Sequence, residues 1–328
     1  ITDFYGLAPR TNAFFLVTGN CTYEDGFPVD IRFCFNVDPS IIQSEKNFYL
    51  SSLYMEEKYR PALNLMADYL TLTENARESR DKAKQLLGQR VELLKGLKKV
   101  VALITRVYNS YYMKDDRISS DVWADYMQSI TGWNVNGQKG GASGAEFMNF
   151  NSLDAFLGTL GKGVIYQGSI RKRLGVPQLY RNCLEALEDE SRSYRFDSFL
   201  DLPKDSDPLV KAKNDVIAML HTWRVHHADS APRYLEKSCM TSGGTIDGAK
   251  DQGETLAMIG HRALTERARE TAEHISKARK PNTMSSQINS YISLGKSLPN
   301  SIYPLAKKTA VVCFVLFVGS LAVAVKLI

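Results

Sequence analysis

Between Val216 and Thr245 the chain carries Arg224, His226 and His227 on one helical stretch, which runs into Ser242-Gly243-Gly244-Thr245. Apolar or small residues recur at Val216, Leu220, Trp223, Ala231 and Tyr234, and position 227 completes that three- and four-residue stride. His227 therefore points inward with the core residues. His226 sits about 100° round the helix, and His221 also lies off the stripe. An inward histidine is often just a satisfied core residue. Arg224 suggests more, because three residues earlier puts it on the same side. An imidazole beside a cation suits a haem: iron on the ring nitrogen, a propionate on the guanidinium.

An arginine, a histidine three residues on and a tyrosine seven further, followed by Gly-Gly-Thr, resembles the proximal helix of the indoleamine 2,3-dioxygenase family. Arg224, His227, Tyr234 and Gly243-Gly244-Thr245 match it. The likeness continues upstream in the same order. Asn47-Phe48-Tyr49-Leu50-Ser51-Ser52 is similar to the distal-helix opening, and Ser129-Ile130-Thr131-Gly132-Trp133 to a serine-glycine-tryptophan turn. Gly140-Gly141-Ala142-Ser143-Gly144 resembles the glycine-rich loop over the haem, and Leu153-Asp154-Ala155-Phe156-Leu157-Gly158 the helix after it. Val176-Pro177 through Arg181-Asn182-Cys183-Leu184 resembles the family's proline-led helix. These collinear matches span roughly residues 12 to 260.

The resemblance implies a haem b enzyme that inserts both atoms of O2 across the 2,3-bond of an indole, giving an N-formylkynurenine-type product. His227 would ligate the iron, Arg224 would hold a propionate, and Asp154 would hydrogen-bond the imidazole. Gly141, Ala142 and Ser143 would line the loop over the cofactor. Phe48 would wall the indole, with Ser52 the small polar group near O2 or the indole N–H. Ser242 would meet the substrate ammonium and the N–H groups of Gly243 and Gly244 its carboxylate. Counting back from Trp133, the family's substrate arginine falls on Met127 and an aromatic wall position on Val122, while the loop hydroxyl falls on Ala142. Losing that arginine costs on the order of 3–5 kcal/mol of carboxylate binding, which points to a less acidic indole than tryptophan. Two other functions are a haem enzyme of specialised metabolism acting on a modified indole without ring cleavage, and a tail-anchored protein that binds haem without turnover.

Composition sets the class. Over 328 residues, 44% apolar and 23% charged content is ordinary for a globular chain. A net charge of +5 is spread out, with no basic block interleaved with aromatics, which argues against nucleic-acid binding. The cysteines at 21, 34, 183, 239 and 313 show neither metal-ligand nor CxxCH spacing, so a reducing compartment and non-covalent haem fit.

The fold class expected is all-α, a helical haem domain followed by one hydrophobic helix, with no β-alternation long enough for a sheet in the main body. A helix from Asn47 should bury Leu50, Leu53, Tyr54, Glu57 and Pro61, bending at Pro61. Glu74 to Tyr112 reads as one long amphipathic helix and Val122 to Ile130 as a shorter one, behind Ser119-Ser120-Asp121. Further helices should start near Ser143, Pro177 and Leu209, with another from Asp247 to Lys280. The chain divides into residues 1–45, a remnant of an N-terminal or connecting region, 46–276, the haem domain, and 277–308, a linker. Residues 309–328 are expected to form a transmembrane tail anchor. Thr309 to Val325 carries no charge over 17 residues, and Lys307-Lys308 flank it on the cytosolic side. That places the haem domain on the cytosolic face of a membrane.

Overall fold

The computed structural model describes residues 17, 20–25, 27–31, 38–113, 117–127, 147–159, 177–189, 195–204, 206–235 and 256–278. Helices make up 80% of them, as the periodicity predicts. The expected site positions Gly141, Ala142, Ser143, Ser242, Gly243 and Gly244, and the hydrophobic stretch 309–328, lie outside these residues. Among the described residues no helix is long and apolar enough to cross a membrane.

The first elements lie within residues 1–45, ahead of the main body, and are strands. β1 (Cys21–Glu24) and β2 (Phe27–Ile31) form an antiparallel hairpin with Glu24 opposite Phe27. Asp25-Gly26 joins them, with Asp25 in the left-handed region at φ 50°. That dipeptide is a strong short-range hairpin signal. Ile31 anchors the hairpin in the main core, and Lys46 on the first helix pairs with Asp30 at 2.7 Å.

Two long helices form the framework. α1 (Pro39–Ala76) starts eight residues before Asn47 because Asp38-Pro39-Ser40 is a complete start signal. Asp38 accepts from the Ser40 N–H at 2.7 Å, and Pro39 sits where no N–H is needed. α2 (Arg80–Tyr112) is capped by Ser79 on the Lys82 N–H. The continuous Glu74–Tyr112 helix is thus broken at residues 77–79. The buried faces share one rhythm. Met55, Tyr59, Ala62, Met66, Tyr69, Thr73 and Ala76 alternate four- and three-residue steps, as do Arg90, Leu94, Leu97, Val101, Ile104 and Tyr108. Such heptads pack two helices along their length. Gly96 lets them close in: a Cβ there would meet Leu65 Cδ1 at 3.3 Å. Glu57 and Pro61 lie off the buried face, correcting the apolar stripe expected for α1.

α3 (Ser120–Val122) runs directly into a π-helical turn, Trp123–Met127. α4 (Met148–Leu157) ends at Gly158, left-handed at φ 69°. α5 (Gln178–Asp189), α6 (Pro208–Leu235) and α7 (Leu256–Ala278) follow, with α6 packed against both α2 and α7.

One buried arginine closes two helix ends. Arg195 donates to the Ala155 and Phe156 carbonyls at 3.1 and 2.5 Å and to the Leu187 carbonyl, in the last turns of α4 and α5. The chain carrying it is held in turn, because Tyr69 donates to the Arg195 carbonyl and Arg90 to that of Asp197. Arg195→Met is expected to cost about 3 kcal/mol, since buried carbonyls lose their donors. A urea titration measures this. A loss below about 1 kcal/mol would mean that water replaces the guanidinium.

Candidate functional site

His227 sits on α6 in an aromatic bracket. The Trp223 ring, one turn earlier, stacks against it at 5.0 Å and 25°, and Tyr108 of α2 meets it edge-on at 5.8 Å. Phe150 of α4 lies face-to-face on Trp223 at 3.6 Å, so Phe150, Trp223 and His227 form one column. Burial, reinforced by the Arg224 charge, pushes the His227 pKa down to about 4. The ring is therefore neutral at physiological pH. Among the described residues no hydrogen bond reaches it, and the Trp223 Nε1–H beside it is likewise buried without an acceptor. His226 differs: its Nδ1 lies 2.9 Å from Asn109 Oδ1, and since a carbonyl oxygen only accepts, the imidazole donates there.

Arg224 and Asp154 fall elsewhere than expected. Arg224 is 5% exposed and donates to both carboxylate oxygens of Asp154, at 2.7 and 2.6 Å, and to the Thr271 hydroxyl. Arg267 of α7 reaches the same carboxylate at 2.9 Å, and the Thr159 hydroxyl donates to it at 2.5 Å. The expected Asp154–imidazole bond and the free guanidinium for a propionate are both corrected. The two residues satisfy each other, because Arg224 Nη2 bridges both carboxylate oxygens and so leaves neither buried charge unpaired. Burial would raise the Asp154 pKa, but Arg224 and Arg267 together outweigh it and hold the carboxyl below its usual range. Arg224, lowered to about 10 mainly by burial, still carries its charge at neutral pH. The cluster locks α4, α6 and α7 around the turn that bears His227.

On the α1 side, Phe48 packs edge-to-face on Tyr112 at 6.1 Å, and Tyr112 stacks on Tyr108 at 4.7 Å. Rings thus link Phe48 to His227 through two tyrosines. The Tyr112 hydroxyl bonds Ser51 Oγ at 2.7 Å and also interacts with Ser52, which is partly buried. Val122 is partly buried against the core, and Met127 is buried within it at 1% exposure. The aromatic ring that meets Phe48 here belongs to Trp123, at 6.5 Å. The count back from Trp133 placed the wall on Val122, the residue just before Trp123, where α3 gives way to the π-helical turn.

Glu56 is not among the expected site residues. It lies one turn beyond Ser52 and two beyond Phe48, so the four-residue spacing was there to see. Its Oε1 accepts from the Asn149 N–H of α4 at 3.0 Å, and burial pushes its pKa up to about 7. Away from this region, an open cleft of about 660 Å³ between α1 and α2 is lined by Asp68, Leu72, Gln89 and Leu93. Among the described residues no three or more His, Cys, Asp or Glu side chains gather as a metal site. No model of a known protein family matches the chain, and no curated protein matches its sequence.

Proposed function

We propose that this chain is a haem-dependent dioxygenase of the indoleamine 2,3-dioxygenase type, acting on an indole. The observation that supports this best is His227: a neutral imidazole with no hydrogen-bond partner among the described residues, bracketed by rings on a rigidly clamped helix. Those properties suit a residue that must give a lone pair to iron. A neutral imidazole suits the iron end, and the propionate end differs from the family's pattern. Arg224 is already engaged by Asp154, and among the described residues Trp223 Nε1 beside the imidazole is a donor without an acceptor. Bound there, haem would supply a ferrous centre able to activate O2.

The chain's own residues would act by positioning and by excluding water. Phe48 and Trp123 offer aromatic faces to a planar substrate, and Ser52 a small hydroxyl. Met127 brings neither charge nor donor, which favours an indole without a free carboxylate, because burying that group unpaired costs several kcal/mol. Residues 309–328 would tether the domain to a membrane through their charge-free run.

Reconstitution with haem tests the reading, followed by reduction, O2 and a panel of tryptophan, tryptophan amide and tryptamine, scored by product mass. A Soret band and two added oxygen atoms on an indole are expected, with the amide or amine turned over on the order of a hundredfold better than tryptophan. Absence of the Soret band would reject haem binding. Ordinary turnover of tryptophan would reject the substrate preference.

A further inference from the structure

Helix α4 is only partly capped by its own sequence. Its N-cap position is Phe147, whose side chain accepts nothing, and within the first turn the Asn149 side chain takes the Phe150 N–H at 2.6 Å, which leaves the Asn149 N–H to a partner from elsewhere. Glu56 supplies it from α1, accepting from the Asn149 N–H at 3.0 Å across 93 residues of chain. A second α1–α4 link lies one turn along, where the Tyr59 and Ser152 hydroxyls are 2.9 Å apart. That same first turn holds Phe150 on Trp223, the ring that in turn stacks on His227.

No cation faces Glu56 among the described residues. The titratable groups around it are Tyr59 on α1 and Tyr180 on α5, and burial pushes both phenols upward, away from the neutral range. The element packed on its other side, α4, offers the uncharged Asn149 backbone. A charged carboxylate here has one N–H for compensation, whereas the neutral acid keeps that bond and loses the cost of burying a charge.

We propose that Glu56 is a proton-operated latch: protonated, it holds the first turn of α4 and Phe150 in place on Trp223, the ring that stacks on His227; ionised, it releases them and uncovers the Trp223 face. The inference rests on the α1–α4 geometry and stands whether or not haem is the ligand. Its sign follows from linkage. Burial raises the Glu56 pKa from 4.5 to about 7 in the docked state, so docking is strongest below 4.5 and weakens as pH rises to about 7.

Hydrogen exchange of the full chain at pH 5 and pH 7.5, corrected for intrinsic rates, tests it. Protection of residues 147–153 is expected to fall by tenfold or more over this interval, while the middle of α2, Leu94–Ile104, stays constant. Glu56→Gln keeps the acceptor without the charge, so the fall should vanish in that variant. An equal fall in wild type and Glu56→Gln, or none in wild type, overturns the proposal. Should the variant fail to fold, carboxyl NMR of 13C-glutamate-labelled wild type decides. A glutamate titrating near pH 7 together with the loss of protection supports the latch, and only ordinary glutamate titrations reject it.

Discussion

Asp154→Ala is expected to be the most destabilising single change in the described region, lowering the unfolding free energy by about 3–5 kcal/mol. The carboxylate answers two arginines at once, at 2.6 and 2.9 Å, and Arg224 is 5% exposed. Removing it leaves a buried guanidinium with only the Thr271 hydroxyl. Arg267 suffers less, since it keeps Glu270 at 3.4 Å. The double variant Asp154→Leu with Arg224→Met should therefore recover much of the loss, because neighbouring effects in one network do not add. Urea denaturation followed by helical circular dichroism measures both. If the single variant costs under about 1 kcal/mol, the pair behaves as a solvated surface bridge and the clamp is misassigned.

The acid limb of stability should report the same group. Because the Asp154 pKa is depressed in the folded state, its contribution is complete above the ordinary aspartate value of 3.8 and is lost as pH falls through the depressed one. Glu56 acts with the opposite sign, from 4.5 to about 7. A stability profile of wild type, Asp154→Ala and Glu56→Gln should separate the two limbs. The aspartate variant flattens the acid side and the glutamine variant the side approaching neutrality.

His227→Ala is expected to abolish the Soret band of purified or reconstituted protein, while His226→Ala keeps most of it. The two imidazoles are adjacent in sequence and opposite in circumstance: His226 is committed to Asn109, whereas His227 has no hydrogen-bond partner among the described residues. His227→Ala also removes a ring from between Trp223 and Tyr108, a stacking loss of about 1–2 kcal/mol. A variant that stays folded yet spectrally empty would separate ligation from packing. Should His226→Ala alone lose the band, the iron ligand has been assigned to the wrong residue.

Much of the framework is written in local pattern. The four-three rhythm of α1 and α2, the starts at Ser79, Pro177 and Asp207, and the glycine that ends α4 depend on neighbours within a turn or two, and such signals survive without tertiary context. Three such local signals went unread: the Ser79 start, the Asp38-Pro39-Ser40 start and the Asp25-Gly26 dipeptide. His227 was likewise placed inward by its helical stride, beside the rings that now bracket it. Partner choice was not local. Asp154 lies 70 and 113 residues from its two arginines, and Glu56 lies 93 from the helix it caps. Residue types alone allow Asp154 an imidazole as readily as a guanidinium. Only the packing of α4 against α6 and α7 decides between them, because it buries both charges together, where a direct ion pair leaves no charge unanswered.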